Sequence, residues 1–143
     1  MRLSLPVYRR MLFVYAAVIV AVALVIALGV IGPVKDDVYR NATPEIAVKA
    51  FWFNVGFNLF MAAILVLMAV PSKGRSGIST AVHIVVGFIV AILGLILVDA
   101  ASAYQSHGPS MQTASILLFI CAAVDILVGV LVFITAFLQP RKS

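Results

Sequence analysis

Asp125 is the residue whose type and position could do chemistry. It stands near the middle of the apolar run Ile116 to Leu138, and the other three long apolar runs carry no acid at comparable depth. A charged Asp at a membrane-helix centre costs roughly 2.5–3.5 kcal/mol, so it persists where it faces a helix interface, a water-filled cavity or a partner. Two chemistries are open to it. As a neutral acid, the form desolvation favours, it can hydrogen-bond an amide or a backbone carbonyl. As a group that gains and loses a proton, it can form a proton or cation site. No Lys or Arg lies at its depth in any run, so an internal ion pair is unavailable and Asn58 is the expected partner within the chain.

Other polar residues accompany it. Asn54 and Asn58 are four residues apart and share one helix face with Phe51, Met61 and Leu65. Interhelical hydrogen bonding explains such amides at about 0.6 kcal/mol each, and the sharper alternative is contact with an ion or substrate. His83, with Thr80, Gly87, Ala91, Gly94 and Ala101, lies on a stripe of mostly small residues. Small residues let helix backbones approach closely, so Gly87, Ala91 and Gly94 predict a tight contact within or between protomers. His83 could shuttle a proton, although a hydrogen-bonded interface histidine is the expectation. Cys121, Ala122 and Gly129 put Asp125 on a small-residue face of its own. Phe51, Trp52, Phe53, Phe57 and Phe60 could line a lipid or quinone pocket, but packing and interfacial anchoring are expected first.

These side chains need elements that live in lipid. Of the 143 residues 64% are hydrophobic and 10% charged, and the mean hydropathy of +1.21 is too high for an ordinary soluble domain. Four runs, about 11–31, 50–70, 81–101 and 115–138, approach or exceed the roughly 18–20 residues a helix needs to cross a bilayer. They do not alternate as barrel strands would, and helices bond their own backbone internally. The expected fold is one all-α integral membrane domain, a four-transmembrane-helix bundle over 1–143.

Seven basic residues fall at the termini and in the middle loop (Arg2, Arg9, Arg10, Lys73, Arg75, Arg141, Lys142), and three (Lys35, Arg40, Lys49) in the first loop. The last loop has none. That asymmetry predicts cytoplasmic N- and C-termini. The net charge of +5 is therefore an orientation signal facing anionic headgroups, with no nucleic-acid surface implied. Arg9 and Arg10 before an apolar run could begin a secretory signal, but the run exceeds the usual signal core and reads as an uncleaved span. Thr43-Pro44-Glu45 should start the second helix before the membrane, Pro71 to Gly77 should form a tight turn, and Ser79 or Thr80 should cap the third helix. Asp99 belongs at the membrane surface. Asn41-Ala42-Thr43 matches the glycosylation pattern, more by coincidence than as a used site given Pro44.

Metal and cofactor chemistry finds no support in the pattern. His83, His107 and Cys121 lie at different depths, so neither a dihaem nor a zinc arrangement is expected. One cysteine excludes an internal disulfide. Phosphate loops, nucleophile elbows and metalloprotease motifs are missing, and the last loop offers His107 only Ser and Gln for company. The leading expectation is a non-enzymatic accessory, assembly or membrane-organising subunit that acts through helix contacts, with membrane lipids and either a second copy or other membrane subunits as partners. A small proton-coupled carrier or channel using Asp125, with Asn58, Asn54 and His83 as relay or ligand candidates, is its rival. An enzyme acting on a lipid or quinone is a weaker third.

Overall fold

Lipid offers the backbone no hydrogen bonds, and each apolar run closes its own as helix. The computed structural model describes residues 3–39, 46–70, 80–106 and 109–139, and all regular structure among them is helical. Helix α1 (Leu5–Val25) passes through a π turn at Ile26–Val30 into α2 (Ile31–Tyr39). Helices α3 (Ile46–Ala69) and α4 (Thr80–Tyr104) follow, and a 3₁₀ turn at Pro109–Met111 leads into α5 (Gln112–Ala136). Among the described residues four helical stretches, the first running Leu5–Asp36, are long and apolar enough to cross a membrane. The chain has the architecture of a multi-pass membrane protein.

The first helical stretch continues beyond the apolar run 11–31 at both ends. Pro6 sits in the first turn of α1, where its missing N–H costs nothing. Pro33 does not stop the helix at the other end. Its ring leaves the Gly29 carbonyl without the usual donor, and the backbone just upstream widens so that the Ile31 N–H donates to the Ile26 carbonyl. Local π turns of this kind let membrane helices carry proline. At the end of α5, the Phe137 and Leu138 N–H groups turn back to the Ile134 and Thr135 carbonyls, which ends the helix at Ala136. Thr80 is the first helical residue of α4. Thr43 to Glu45, the turn Pro71 to Gly77, Ser79, Asn41, His107, Arg2, Arg40, Arg141 and Lys142 lie outside the described residues.

Helix pairing is uneven. α4 and α5 share the most extensive contact, α1 and α3 the next, α1 reaches α5, and α3 barely touches α4. The molecule is therefore two helical hairpins, α1/α3 and α4/α5, joined chiefly along α1 and α5. The small-residue stripe closes the second hairpin. A Cβ on Gly87 would lie 2.7 Å from the Gly129 carbonyl oxygen, and one on Gly129 would lie 2.6 Å from the Gly87 oxygen and 2.7 Å from the Ala91 nitrogen. Gly94 meets Ile126 and the Ala122 carbonyl in the same way. Gly87, Ala91, Gly94 and Gly129 are thus spent on a contact within the chain.

The ends of the bundle are tied. The Leu3 N–H donates to the Leu138 carbonyl at 2.9 Å, which holds the N- and C-terminal ends of the described chain on one side. At the far end Ser115 Oγ donates to the Ala101 carbonyl at 2.8 Å. Between the ends the apolar core splits in two. One cluster, toward the far end, takes Phe51 and Val55 from α3, Leu97 from α4 and Cys121 and Ala122 from α5. The other, toward the termini, takes Met61, Val90 and Val128 from the same helices.

Candidate functional site

The division between the two apolar clusters is where the polar residues fall. On α3, Asn54 and Asn58 interleave with Val55 of one cluster and precede Met61 of the other; on α5, Asp125 lies between Ala122 and Val128. Helical spacing explains the first pair, since residues four apart stack on one face and that face points into the bundle with Phe51, Met61 and Leu65. Asp125 follows the same logic on α5, one turn after buried Cys121 and one before Gly129. Asn58 and Asp125 have no exposed surface at all.

Within this layer the hydrogen bonding is incomplete. Asn58 Nδ2 donates to the Asn54 backbone carbonyl at 2.9 Å and to Asn54 Oδ1 at 2.7 Å. Asn54 Nδ2 reaches across to the Leu93 carbonyl of α4 at 3.5 Å, a long bond and one of the few links between α3 and α4. The Asn58 amide approaches the Asp125 carboxyl without reaching hydrogen-bond geometry. Asn58 Oδ1 and both Asp125 oxygens are left as buried acceptors with no donor. Nearly all buried polar atoms in folded proteins find a partner, and each one that does not carries a penalty of about 1–3 kcal/mol. Three together, on one layer, ask for a donor or a cation.

His83 is not part of that layer. It is buried nearer the termini, with Nε2 2.6 Å from the Tyr8 hydroxyl and the two rings tilted at 5.8 Å between centroids. Ten residues of α4 separate it from Leu93, about 15 Å of helix rise, and Val86 and Val90 are buried between. The structure thus groups Asn54 and Asn58 with Asp125 and leaves His83 in a second polar contact.

A neighbouring bond was not foreseen from the sequence. Thr135 Oγ1 donates to the Leu131 carbonyl at 2.7 Å, so its single proton is engaged and the Tyr15 hydroxyl, 3.2 Å away, donates to it. Tyr8 and Tyr15 both come from α1, and their partners come from α4 and α5. Their spacing held the signal, because Tyr8, Leu12, Tyr15 and Ile19 share one helix face and all four are buried. Tyr8–His83, Tyr15–Thr135 and Asn54–Leu93 thus cross from one hairpin to the other, whereas Ser115–Ala101 ties α5 to α4 within one hairpin.

Asp99 is exposed near the end of α4, and Trp52, Phe53, Phe57 and Phe60 are all exposed on the outer face of α3 while Phe51 packs inward against Tyr104. Among the described residues no three His, Cys, Asp or Glu side chains converge as a metal-binding group. Comparison with protein-family models, with curated proteins and with solved structures returns no match to this chain.

Proposed function

We propose that the protein is a small proton-coupled carrier or channel that crosses the membrane four times, with Asp125 as the group that takes up and releases the proton. The carrying observation is the set of three donorless acceptors, Asp125 Oδ1, Asp125 Oδ2 and Asn58 Oδ1, on the seam between two hairpins. A proton on Asp125 turns the carboxyl into a donor, and the neighbouring Asn58 carries a donorless acceptor, Oδ1, that a small side-chain rotation could bring to it. The seam is then closed by a hydrogen bond. Loss of that proton leaves a negative charge between two apolar clusters, a state costing several kcal/mol unless water or a cation enters. The thin contact between α3 and α4 is where the seam can widen most readily. Protonation and opening are thus linked through one residue. The excess of Lys and Arg in the termini and middle loop supports cytoplasmic termini.

Proton and solute flux in liposomes, measured for wild type and Asp125→Asn, tests this reading. Wild-type flux that disappears in the variant is the expected result. Equal nonzero fluxes, or no flux in the wild type with any solute tried, would remove the proposal.

The accessory or assembly reading keeps one supporting observation, the broad apolar face that α3 turns outward. It loses another, because the small-residue faces that could have met a partner are used inside the chain. Mass measurement of the assembly in native lipid particles decides it, and a companionless monomer would count against it.

A further inference from the structure

The outer face of α3 carries a groove of about 600 Å³ lined by Lys49, Trp52, Phe53, Gly56, Phe57 and Phe60. We propose that this groove is a binding site for one anionic phospholipid, its phosphate at Lys49 and one acyl chain laid along the helix over Gly56. The proposal rests on the membrane-spanning reading of α3 and is independent of Asp125.

Shape and charge both point to a lipid. The lining positions follow helical spacing and form one continuous face, opposite the buried face of Asn54, Asn58 and Met61. Gly56 lies at the middle, and a Cβ placed on it would meet nothing within 4 Å. The gap is open, and Trp52 and Phe53 flank it on one side and Phe57 and Phe60 on the other. From Lys49 to Phe60 the helix rises about 16 Å, close to the roughly 15 Å of one hydrocarbon leaflet. A groove one leaflet deep, apolar along its length and cationic at its outer end, has the dimensions and polarity of a single phospholipid. Lys49 is exposed and engages no carboxylate among the described residues. A second helix is the poorer occupant. Close helix packing uses small residues repeated along the face, and here a single glycine stands among four large rings. An acyl chain is narrow enough to lie in that gap. The preference for an anionic over a zwitterionic headgroup follows from Lys49, because a choline or ethanolamine cation would face its ammonium.

The test is native mass spectrometry of the full-length, delipidated protein titrated with phosphatidylglycerol or phosphatidylcholine of matched acyl chains. A juxtamembrane Lys contributes about 1 kcal/mol toward an anionic lipid, so wild type should retain phosphatidylglycerol about fivefold better. Lys49→Gln should erase that preference and leave phosphatidylcholine binding unchanged. Gly56→Leu, which fills the gap, should weaken retention of both lipids, with thermal unfolding of the lipid-free variants confirming that they fold. Undiminished phosphatidylglycerol preference in Lys49→Gln, or unchanged retention in Gly56→Leu, would overturn the site. A lipid-free dimer in wild type that Gly56→Leu dissociates would assign the face to a second copy and overturn it equally.

Discussion

At the residue scale, Asp125 and Asn58 define a contrast that substitution can read. Asp125→Asn replaces a carboxyl by an amide of the same shape whose N–H can donate to Asn58 Oδ1 without any proton uptake. The variant should unfold no more easily than wild type in a detergent thermal melt, while proton-linked flux is lost. Asp125→Ala removes the donor altogether and strands Asn58 Oδ1, and it should lower stability by about 1–3 kcal/mol. Tyr8→Phe deletes the hydroxyl bonded to His83 and should cost about 0.6 kcal/mol, with an upper bound near 1.7, in the same melt. Asp125 was legible as a functional candidate because a lone acid in an apolar run is costly wherever it faces. What it faces was only partly legible. Asn58 as a neighbour followed from its depth and its helix face, although the hydrogen bond expected between the two is not made, and the grouping of His83 with Tyr8 depends on how far along α4 each residue sits relative to α1. Pairings between helices distant in sequence set that distance, and no local pattern encodes it.

Among the elements, the α4/α5 hairpin is the one built by close approach. Gly129→Ala puts a methyl carbon 2.6 Å from the Gly87 carbonyl oxygen, and because that neighbour is backbone the helices must separate. The expected loss is about 1–3 kcal/mol, the usual cost of overpacking. Gly56→Ala is the internal control. Its methyl meets no neighbour within 4 Å, and removal of a mid-helix glycine should leave stability unchanged or raise it by up to about 1 kcal/mol. Chemical denaturation of the two variants in parallel separates the effects. Hydropathy located all four long apolar helices among the described residues, since twenty consecutive apolar residues have few other fates. The first helical stretch continues past residue 31 to Asp36. Pro33 has the residue type of a helix stop, and the π turn that absorbs it at Ile26–Val30 needs a bundle packed around it. The Gly87 to Gly94 stripe announced a tight contact, but its use within the chain became clear only from the facing Gly129 and Ala122 of α5.

For the whole molecule, division into two hairpins predicts how it comes apart. Fragments 1–74 and 75–143, coexpressed, each contain one tight helix pair and should reassemble. Affinity capture of a tagged first fragment from membranes should recover the second, and failure of both to associate would contradict hairpins that form independently. The contacts holding them together combine the apolar packing of α1 on α5 with Tyr8–His83, Tyr15–Thr135 and Asn54–Leu93.

The polar layer between the two apolar clusters also fixes alignment. Apolar helix faces slide past one another at little cost, because one methyl-lined notch resembles the next. Slipping one hairpin past the other by a single turn, about 5.4 Å, toward Met61 would set Asp125 against Met61 and Ala62 instead of Asn58, and the opposite slip would move it to Asn54 and leave Asn58 against apolar side chains. A buried polar residue at one level of a helical seam is a known means of specifying register at some cost in stability. Asn54, Asn58 and Asp125 thereby act as the key that gives four nearly featureless apolar helices one axial position, whatever passes through or binds there.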